Sequence, residues 1–443
     1  MSRCVGLDVH KSVTQSAIIS QSGQKLGSDR FGCSRAELEL YARTKLQPTD
    51  RVALEATTNT WAIVDVLRPF VAEVVVSNPM RTKAIASAKV KTDKVDALVL
   101  AELLRCDYLP LVWQPPPEVQ ADRAITSRRA ALVADRTAVM NRVHAVLRQR
   151  LIDEPKRLFA TSGRAWLAKL DLDPEGRTAI DSDLRILDVY DTEIDAIDTL
   201  LLQRSADNPN VQILVTLPGI DVSVAQTLNA VIGDVTRFAT ADQAASYIGI
   251  VPSTRQSADH CYHGPITKQG NSRARWLLTQ AAQNVGAHPG PLGAFFRRIA
   301  KKRGRSIAVV ATARKLVVVA WHMLTKREPY RYALPNTVEP KLRKIRTATG
   351  ARRRAKPGTI STRPNPETPG TILRRVKSLK EVYQSEGLPP TQAPAQGETR
   401  MLAEQLLEDT VSNAVAEKWL PKPERKSTAK KKETVSKKPR HRT

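Results

Sequence analysis

Residues 1–115 alternate between short β-branched runs typical of strands and longer stretches with helical spacing. The pattern predicts strands at 5–9, 16–19, 52–54 and 71–77, and helices at 35–46, 59–70 and 92–104. Where strands and helices alternate along a chain, the helices form layers that cover a sheet. The sequence therefore predicts an α/β domain at the start of the chain.

Four carboxylates mark the ends of these elements. Asp8 and Glu55 each close an apolar strand, and Asp93 and Asp96 lie three residues apart at the start of a helix. Residues at i and i+3 share one helix face, so the pair could meet the strand-end acids at one point. Clustered carboxylates repel one another unless cations lie between them, and Mg²⁺ or Mn²⁺ prefers hard oxygen ligands. The ordinary alternatives are loop positions for the strand-end acids and helix capping for the pair.

The chain is strongly basic. Its 443 residues include 70 Lys+Arg against 44 Asp+Glu, a formal net charge of +26. Such an excess attracts polyanions and predicts binding that weakens steeply with salt. A basic chain with an acid cluster indicates two-metal phosphodiester chemistry. Charge alone would equally suit a ribosomal or chromatin protein.

Cysteine usage and hydropathy favour a soluble cytoplasmic protein with no membrane association. The four cysteines form no C-x-x-C pair, which predicts neither a zinc site nor a disulfide framework. The start of the chain lacks the pattern of a signal peptide, and the longest apolar segment, 307–323, is interrupted by Arg314 and Lys315.

Two further regions are predicted to be mainly helical. Residues 116–207 contain two long helical patterns, at 118–151 and 178–204, which indicate a hairpin or coiled coil. That hairpin suits either a bundle within one protomer or an oligomerisation arm. Residues 208–332 begin with a turn at 217–221 that resembles a helix-hairpin-helix, with Asp221 in place of its usual second glycine. A phosphate-binding turn and a purely structural turn both remain open.

The last region, 333–443, is predicted to be a basic and mostly disordered tail. From residue 341 onward it holds 25 Lys+Arg against 10 Asp+Glu, with many Pro, Ser and Thr. This composition is typical of segments that bind nucleic acid non-specifically. One short amphipathic helix is expected at about 400–420.

Two polar segments of the third region are candidates for nucleic-acid contact. The first follows the run 247–252 and a polar loop at 253–265, and contains Lys268, Asn271 and Arg275. The second is a dense basic run with the cations Arg297, Arg298, Lys301, Lys302, Arg303 and Arg305. Phosphate contact is the favoured role of this run, and a solvated helix face is the alternative.

The order of these motifs resembles the insertion-sequence 110 family of transposases. The segments 6–11, 54–57 and 91–97 are similar to the RuvC-like DEDD domain of that family, which has an RNase H fold. Its C-terminal domain is matched by the segments 217–219, 248–252, 266–275 and 311–316. The resemblance covers roughly residues 1–330, and the tail lies outside it.

The resemblance implies an enzyme that moves its own insertion element. In the family, a RuvC-like metal site acts together with a serine nucleophile from the C-terminal domain, through a covalent phosphoserine intermediate. Carried over to this chain, Asp8, Glu55, Asp93 and Asp96 would hold Mg²⁺ or Mn²⁺. The implied partners are double-stranded DNA, as element ends and target, and a structured guide RNA. Exchange between two duplexes favours a homodimer or tetramer, associated with a bacterial nucleoid.

The nucleophile is expected a few residues after the run 249–252, where Ser257 fits best. The family commonly has glycine after this serine, whereas Ala258 follows it here, which alters the freedom of the backbone. Ser253 and Tyr262 are the substitutes, and a solvated serine without a role is the ordinary alternative. His10, beside the first acid, is interpreted as flanking structure.

Four functions remain open. The leading one is an RNA-guided transposase that works through phosphoserine. A site-specific DNA invertase of the same family would use the same site without mobilising an element. In a RuvC-type junction resolvase or nuclease, water would attack and Ser257 would be incidental. The last alternative is a nucleic-acid-binding protein with a decayed site, and the presence of all four acids argues against it.

Overall fold

The computed structural model describes residues 2–86, 92–257, 260–348, 362–368 and 371–421. The chain divides into two compact units, Met1–Pro116 and Pro117–Thr443. In chain order, the first unit contains β1 (Cys4–Val9), β2 (Val13–Ile19), β3 (Lys25–Gly27), β4 (Arg30–Gly32), α1 (Arg35–Lys45), β5 (Arg51–Glu55), α2 (Thr60–Leu67), β6 (Glu73–Ser77), α3 (Pro79–Ile85) and α4 (Asp93–Arg105).

The first unit is built on a mixed sheet in the order β3-β2-β1-β5-β6, with β4 paired to β2. β1 and β2 are antiparallel, whereas β5 is parallel to both β1 and β6. The α/β class expected for this region is therefore confirmed. The prediction misses β3, β4 and α3, which are too short to show a clear period.

Helices cover the central strand β1 on both faces. Val5 and Leu7 pack in a cluster with residues of α1 and α2. Cys4 packs on the opposite face, in a cluster with residues of α4. A strand covered on both sides is apolar throughout rather than alternating, which explains why its sequence reads as a continuous apolar run.

The backbones of β1 and α4 approach closely because residue 6 is a glycine. A Cβ at Gly6 would lie 2.0 Å from the Ala97 carbonyl oxygen and 2.6 Å from the Ala101 nitrogen. Any side chain there would therefore push α4 off the sheet. This contact lies one turn beyond Asp93 and Asp96, so it brings the first turn of the helix to the end of β1.

The second unit is mainly helical. Its helices are α5 (Pro117–Gln149), α6 (Thr161–Lys169), α7 (Pro174–Ala206), α8 (Pro209–Leu214), α9 (Val222–Ile232), α10 (Ala241–Ile248), α11 (Ser272–Val285), α12 (Pro291–Arg303), α13 (Arg305–Lys326), α14 (Pro335–Ala348), α15 (Leu379–Glu386), α16 (Gln396–Glu404) and α17 (Glu408–Val415). Its strands are β7 (Pro252–Ser257), β8 (His260–Ile266), β9 (Thr362–Pro364), β10 (Ile372–Val376) and β11 (Lys418–Pro421).

The long helices α5 and α7 pack in an antiparallel pair, and a series of ion pairs fixes their register. The pairs are Arg204–Asp122, Arg129–Asp198, Arg136–Asp191, Arg142–Asp183 and Arg150–Asp173. Partly exposed pairs of this kind each contribute only about 0–1 kcal/mol, so their main effect is on register. The pair is not a separate domain, because Arg123 of α5 donates a hydrogen bond to the Ala230 carbonyl of α9.

The core of this unit surrounds α13. Within the described residues, α13 is the one helix long and apolar enough to cross a membrane. Half of its most apolar stretch is buried, and Leu316, Val317 and Ala320 are fully covered by neighbouring helices. Its hydropathy is thus that of a core helix.

The turn at 217–221 is structural in its contacts. The Asp221 carboxylate caps α9 by accepting a hydrogen bond from the Val224 N–H at 2.8 Å. On the other side of the turn, Lys341 donates to the carbonyls of Val215 and Ile220. Burial lowers the pKa of Lys341 to about 8. A carboxylate already occupies the helix N-terminus, which disfavours phosphate there.

The prediction of a mostly disordered tail is wrong for the residues that the structure describes. α14 and α15 carry Val338, Leu342, Val382 and Tyr383 into the same core as α13. The Tyr383 hydroxyl also donates to the Tyr330 carbonyl at 2.6 Å. Short apolar stripes outweigh the basic composition here. The parts of the tail at 349–361, 369–370 and 422–443 lie outside the described residues.

Gly6→Ala should destabilise the protein, because the new methyl group overlaps backbone atoms of α4 that cannot move independently. Overpacking of this kind costs about 1–3 kcal/mol, measurable by chemical denaturation. Gly27→Ala is the matched control: its Cβ would meet only Ile18 Cδ1, at an ordinary 3.9 Å. Equal stability of the two variants would contradict the close contact.

Candidate active site

Parallel pairing places two of the predicted acids side by side. Leu7 of β1 is in register with Leu54 of β5, so the next residues, Asp8 and Glu55, end neighbouring strands. Side chains alternate across a sheet, and Leu7 and Leu54 face the α1–α2 layer. Asp8 and Glu55 are therefore on the face that α4 covers.

The other two acids come from the first turn of α4. Thr92 caps this helix, its hydroxyl accepting a hydrogen bond from the Val95 N–H at 3.3 Å. The positive end of the helix dipole stabilises carboxylates in this turn, Asp93 and Asp96 among them. The helix terminus thus offsets part of the repulsion within the cluster.

His10 contacts two of the four acids, Asp8 and Asp93. Its Nε2 is 3.2 Å from Asp8 Oδ2 and 3.3 Å from Asp93 Oδ1. One ligand atom from each of these three residues lies within 4.8 Å of the other two. The interpretation of His10 as flanking structure is corrected by these contacts. The only signal in the sequence was its position two residues after the first acid.

The cluster has the electrostatics of a cation site. Burial raises the pKa of Asp8, and the charges of Asp96 and Asp93 raise it further, while His10 opposes them. Asp8 Oδ2 is buried without a hydrogen bond of good geometry. A buried carboxylate oxygen whose nearest donor, His10 Nε2, has poor hydrogen-bond geometry fits Mg²⁺ or Mn²⁺ in a set of hard oxygen ligands. Glu55 and Asp96 lie outside the three-residue group; the charge of Asp96 acts on Asp8, and Glu55 follows the residue in register with Leu7 on the neighbouring strand.

Ser257 ends a β-strand instead of lying in the polar loop expected at 253–265. β7 and β8 form an antiparallel hairpin in which Ser257 is paired with His260 and Arg255 with Tyr262. The connecting residues 258–259 lie outside the described part of the chain. Residues 253–257 are all polar, so no alternation of apolar residues marks this strand in the sequence.

The two faces of the hairpin carry different chemistry. On one face, Thr254 Oγ1 and His263 Nδ1 lie 3.0 Å apart and form a hydrogen bond with each other. Because residues two apart share a face, Ser257 lies on the other face with Arg255, His260 and Tyr262. A hydroxyl, an imidazole, a guanidinium and an exposed aromatic ring are thus grouped there. Arg255 and His260 were not among the site residues predicted from the sequence.

The run 247–252 before the hairpin and the segment 267–275 after it hold the base of the hairpin together. Gly249 ends α10 with φ +76, and a Cβ there would lie 2.5 Å from the Gln269 carbonyl. The Lys268 N–H donates to the Gly249 carbonyl at 3.1 Å. Arg275 donates to the Ile248 carbonyl, and Asn271 caps α11. These contacts position the hairpin, and the predicted nucleic-acid role of these residues stays a prediction.

The basic run divides into two groups by its contacts. Arg297 donates to the carbonyls of Gly286 and His288, so one edge of its guanidinium serves the fold. Arg298 lies over the Phe295 ring at 5.6 Å. The remaining cations are exposed on the end of α12 and the start of α13: Lys301, Lys302, Arg303 and Arg305. Their contact with phosphate likewise stays a prediction.

Comparison with known proteins gives two family matches. A transposase profile of the IS110 DEDD type covers residues 5–152, and one described as Transposase IS116/IS110/IS902 family covers residues 211–296. The chain is 26% identical to the transposase for insertion sequence element IS1111A of Coxiella burnetii, over 54% of this chain and 68% of that protein. It is 24% identical to the transposase for IS1328 of Yersinia enterocolitica, over 73% and 96%.

A further relative is the 44.8 kDa protein of insertion element IS116 from Streptomyces clavuligerus, 28% identical over 56% of this chain and 74% of that protein. An α/β unit of RuvC-like fold with an acidic cluster, matched to these proteins, defines an insertion-sequence transposase, an enzyme that acts on DNA. The chain belongs to the IS110 family of transposases.

Asp8→Asn should have opposite effects on stability and on metal binding. A raised carboxyl pKa means that ionised Asp8 is disfavoured by folding, so above its unfolded pKa this charge destabilises the protein. With chelator present at neutral pH, the variant should therefore melt above wild type. Mn²⁺ should raise the Tm of wild type but not of the variant. Asp65→Asn, at an exposed position of α2, is the control. A Mn²⁺ response retained by Asp8→Asn would contradict the site.

Proposed function

We propose that this transposase cuts and rejoins DNA at the ends of an insertion element, with metal-binding acids in its first unit and Ser257 as the nucleophile. The observation that carries the proposal is the convergence of Asp8, His10 and Asp93, each with one ligand atom within 4.8 Å of the other two. An element-encoded guide RNA and a dimer or tetramer are proposed on family resemblance alone.

The acids would hold Mg²⁺ or Mn²⁺ through Asp8, Asp93, Asp96 and Glu55. Such an ion, when bound, neutralises the scissile phosphate and lowers the pKa of an attacking hydroxyl. The chain's own contribution is to hold these carboxylates close together. The helix dipole of α4 and the packing at Gly6 supply that constraint.

The hairpin supplies the groups that a serine nucleophile needs. A serine hydroxyl is weak at neutral pH and requires a base. His260 is directly opposite Ser257, where Cβ atoms of paired residues are about 4.5–5.5 Å apart. Its imidazole can accept the hydroxyl proton. Arg255, on the same face, can hold a phosphate oxygen by charge-assisted hydrogen bonds.

Each step of this chemistry balances. The Ser257 oxygen forms a bond to phosphorus, its proton passes to His260, and the broken phosphate–sugar bond leaves an oxygen that takes a proton. In the second step, a hydroxyl of another strand attacks the phosphoserine and the serine oxygen recovers its proton. The number of phosphodiester bonds is unchanged, so joining requires no ATP.

Two alternatives use the same acids. In a RuvC-type nuclease or junction resolvase, water attacks and Ser257 has no role; the DEDD domain by itself favours this metal-dependent type. A DNA invertase would perform the serine chemistry without mobilising an element. A covalent bond between Ser257 and DNA would distinguish the proposal from the first alternative. The DNA product distinguishes the proposal from the second.

Ser257→Ala should abolish a covalent protein–DNA adduct and element excision, because no other group would form the phosphoester. The assay uses a plasmid that carries the element with its flanking non-coding DNA. Denaturing gels detect the adduct. Ser253→Ala, on the same strand, is the matched control and should retain both activities. Excision by Ser257→Ala at the wild-type rate would favour attack by water.

His260→Gln should slow adduct formation, because no imidazole would remain opposite Ser257 to accept the hydroxyl proton. His263→Gln is the control, because His263 lies on the opposite face of the same hairpin. Rates of adduct formation by both variants test this. A wild-type rate for His260→Gln would exclude His260 as the base, even if Ser257 proves essential.

A further inference from the structure

A cavity of about 510 Å³ lies in the second unit among α12, α13, α16 and the segment that leads into α14. Cavities that hold small molecules have volumes of about 300–1,000 Å³. Its apolar surface is contributed by Leu292, Phe295, Val319, Met323 and Tyr330. Tyr330 is almost fully buried, so one aromatic ring forms part of a fixed floor.

Uncompensated positive charge surrounds this apolar floor. Arg298, Lys315 and Lys326 line the cavity, and none of them forms an ion pair with any residue that the structure describes. The two acids of the lining, Glu328 and Glu398, are both bound by Arg331. With Arg331 included, the lining has four cations against two carboxylates, so the cavity has a net charge of +2.

The electrostatics of His322 agree with this. His322 also lines the cavity, between the two lysines on one face of α13. Burial lowers the pKa of His322, and the charges of Lys326 and Lys315 lower it further. The same positive potential that disfavours an imidazolium favours a bound anion.

The spacing of the cations indicates a polyanion rather than a single anion. An α-helix rises about 1.5 Å per residue, so Lys315 and Lys326 are roughly 16 Å apart along α13. One phosphate cannot contact both. On α12, Lys302 follows Arg298 by one turn on the same face and is exposed, which extends the row of cations away from the cavity.

We propose that this cavity binds one unpaired nucleotide of a nucleic-acid strand, with its base on the apolar floor and flanking phosphates on Arg298, Lys315 and Lys326. Unstacked bases bind to aromatic side chains in this way, whereas bases stacked in a duplex do not reach such a floor. The site goes beyond the proposed strand cleavage, since it contains neither the acids nor the hairpin.

Residues 371–421 form a C-terminal extension, and part of this extension completes the site. Glu398, Met401 and Gln405, at α16 and just after it, close one side of the cavity. The Tyr332 hydroxyl donates to Glu398 at 2.6 Å, which fixes this wall to the segment before α14. These residues lie beyond 211–296, the range that the C-terminal family profile matches. The nucleotide site is thus built partly from sequence outside the matched region.

The charge requirement is tested by binding of labelled oligothymidylate and oligouridylate to the full-length protein, with chelator present to prevent cleavage. Lys315→Ala/Lys326→Ala should weaken binding and reduce the slope of log K against log salt by about 1.4, the value for two phosphates on a single strand. Lys344→Ala/Lys380→Ala, two exposed lysines outside the cavity, is the matched control. Equal effects of the two pairs would overturn the site. The DNA and RNA arms show which strand binds.

The base requirement is tested with an abasic strand of the same length. Wild type should bind it roughly tenfold or more weakly than the thymidylate, because the stacking of the base on the apolar floor is lost. Val319→Trp fills the cavity and should remove this difference. As a second measurement on wild type, a strand carrying 5-iodouracil should crosslink under ultraviolet light to Phe295, Tyr330 or Tyr332. Equal binding of the abasic strand, or crosslinks confined to other residues, would overturn the proposal.

Discussion

The close packing of α4 against β1 is the contact on which the acidic cluster depends. Four carboxylates from three elements repel one another, and nothing in their own chemistry brings them together. The approach of α4 to β1 is fixed at Gly6, where the absence of a side chain lets the helix backbone contact the strand. The hydrophobic cluster of α4 against the sheet then opposes the repulsion. Burial raises the pKa of Asp8 and the charges of Asp96 and Asp93 raise it further, so the ionised form of Asp8 is held in the cluster at a cost.

The sequence was sufficient to predict the longer strands and helices of the first unit because these elements follow simple periods. The runs that become β1 and β5 are apolar throughout, and each ends on an acid whose chemistry is recognisable without a structure. His10 was not predictable by the same reasoning. Its approach to Asp93 depends on how the chain turns after β1, which no local pattern encodes.

The second unit was less predictable, for two physical reasons. The hairpin of β7 and β8 is polar on both faces, so it lacks the apolar period by which strands are recognised. The C-terminal segments are short, and their few apolar residues become significant only when they join a core formed elsewhere in the chain. The composition of that region described its positive charge correctly, but it wrongly predicted that the region is mostly disordered. Family resemblance pointed to Ser257, but only the strand register places Arg255 and His260 beside it.

The docking of the C-terminal extension has a consequence for the element in its host. Tyr383 and Glu398 satisfy groups of the preceding helical core, so a chain interrupted before them leaves buried surface and polar groups uncovered. Such fragments are expected to be degraded rather than to persist. A copy of the element with a late nonsense mutation would then yield no stable protein able to compete with intact transposase for DNA. Decayed copies would be silent rather than inhibitory, and intact copies would stay active beside them.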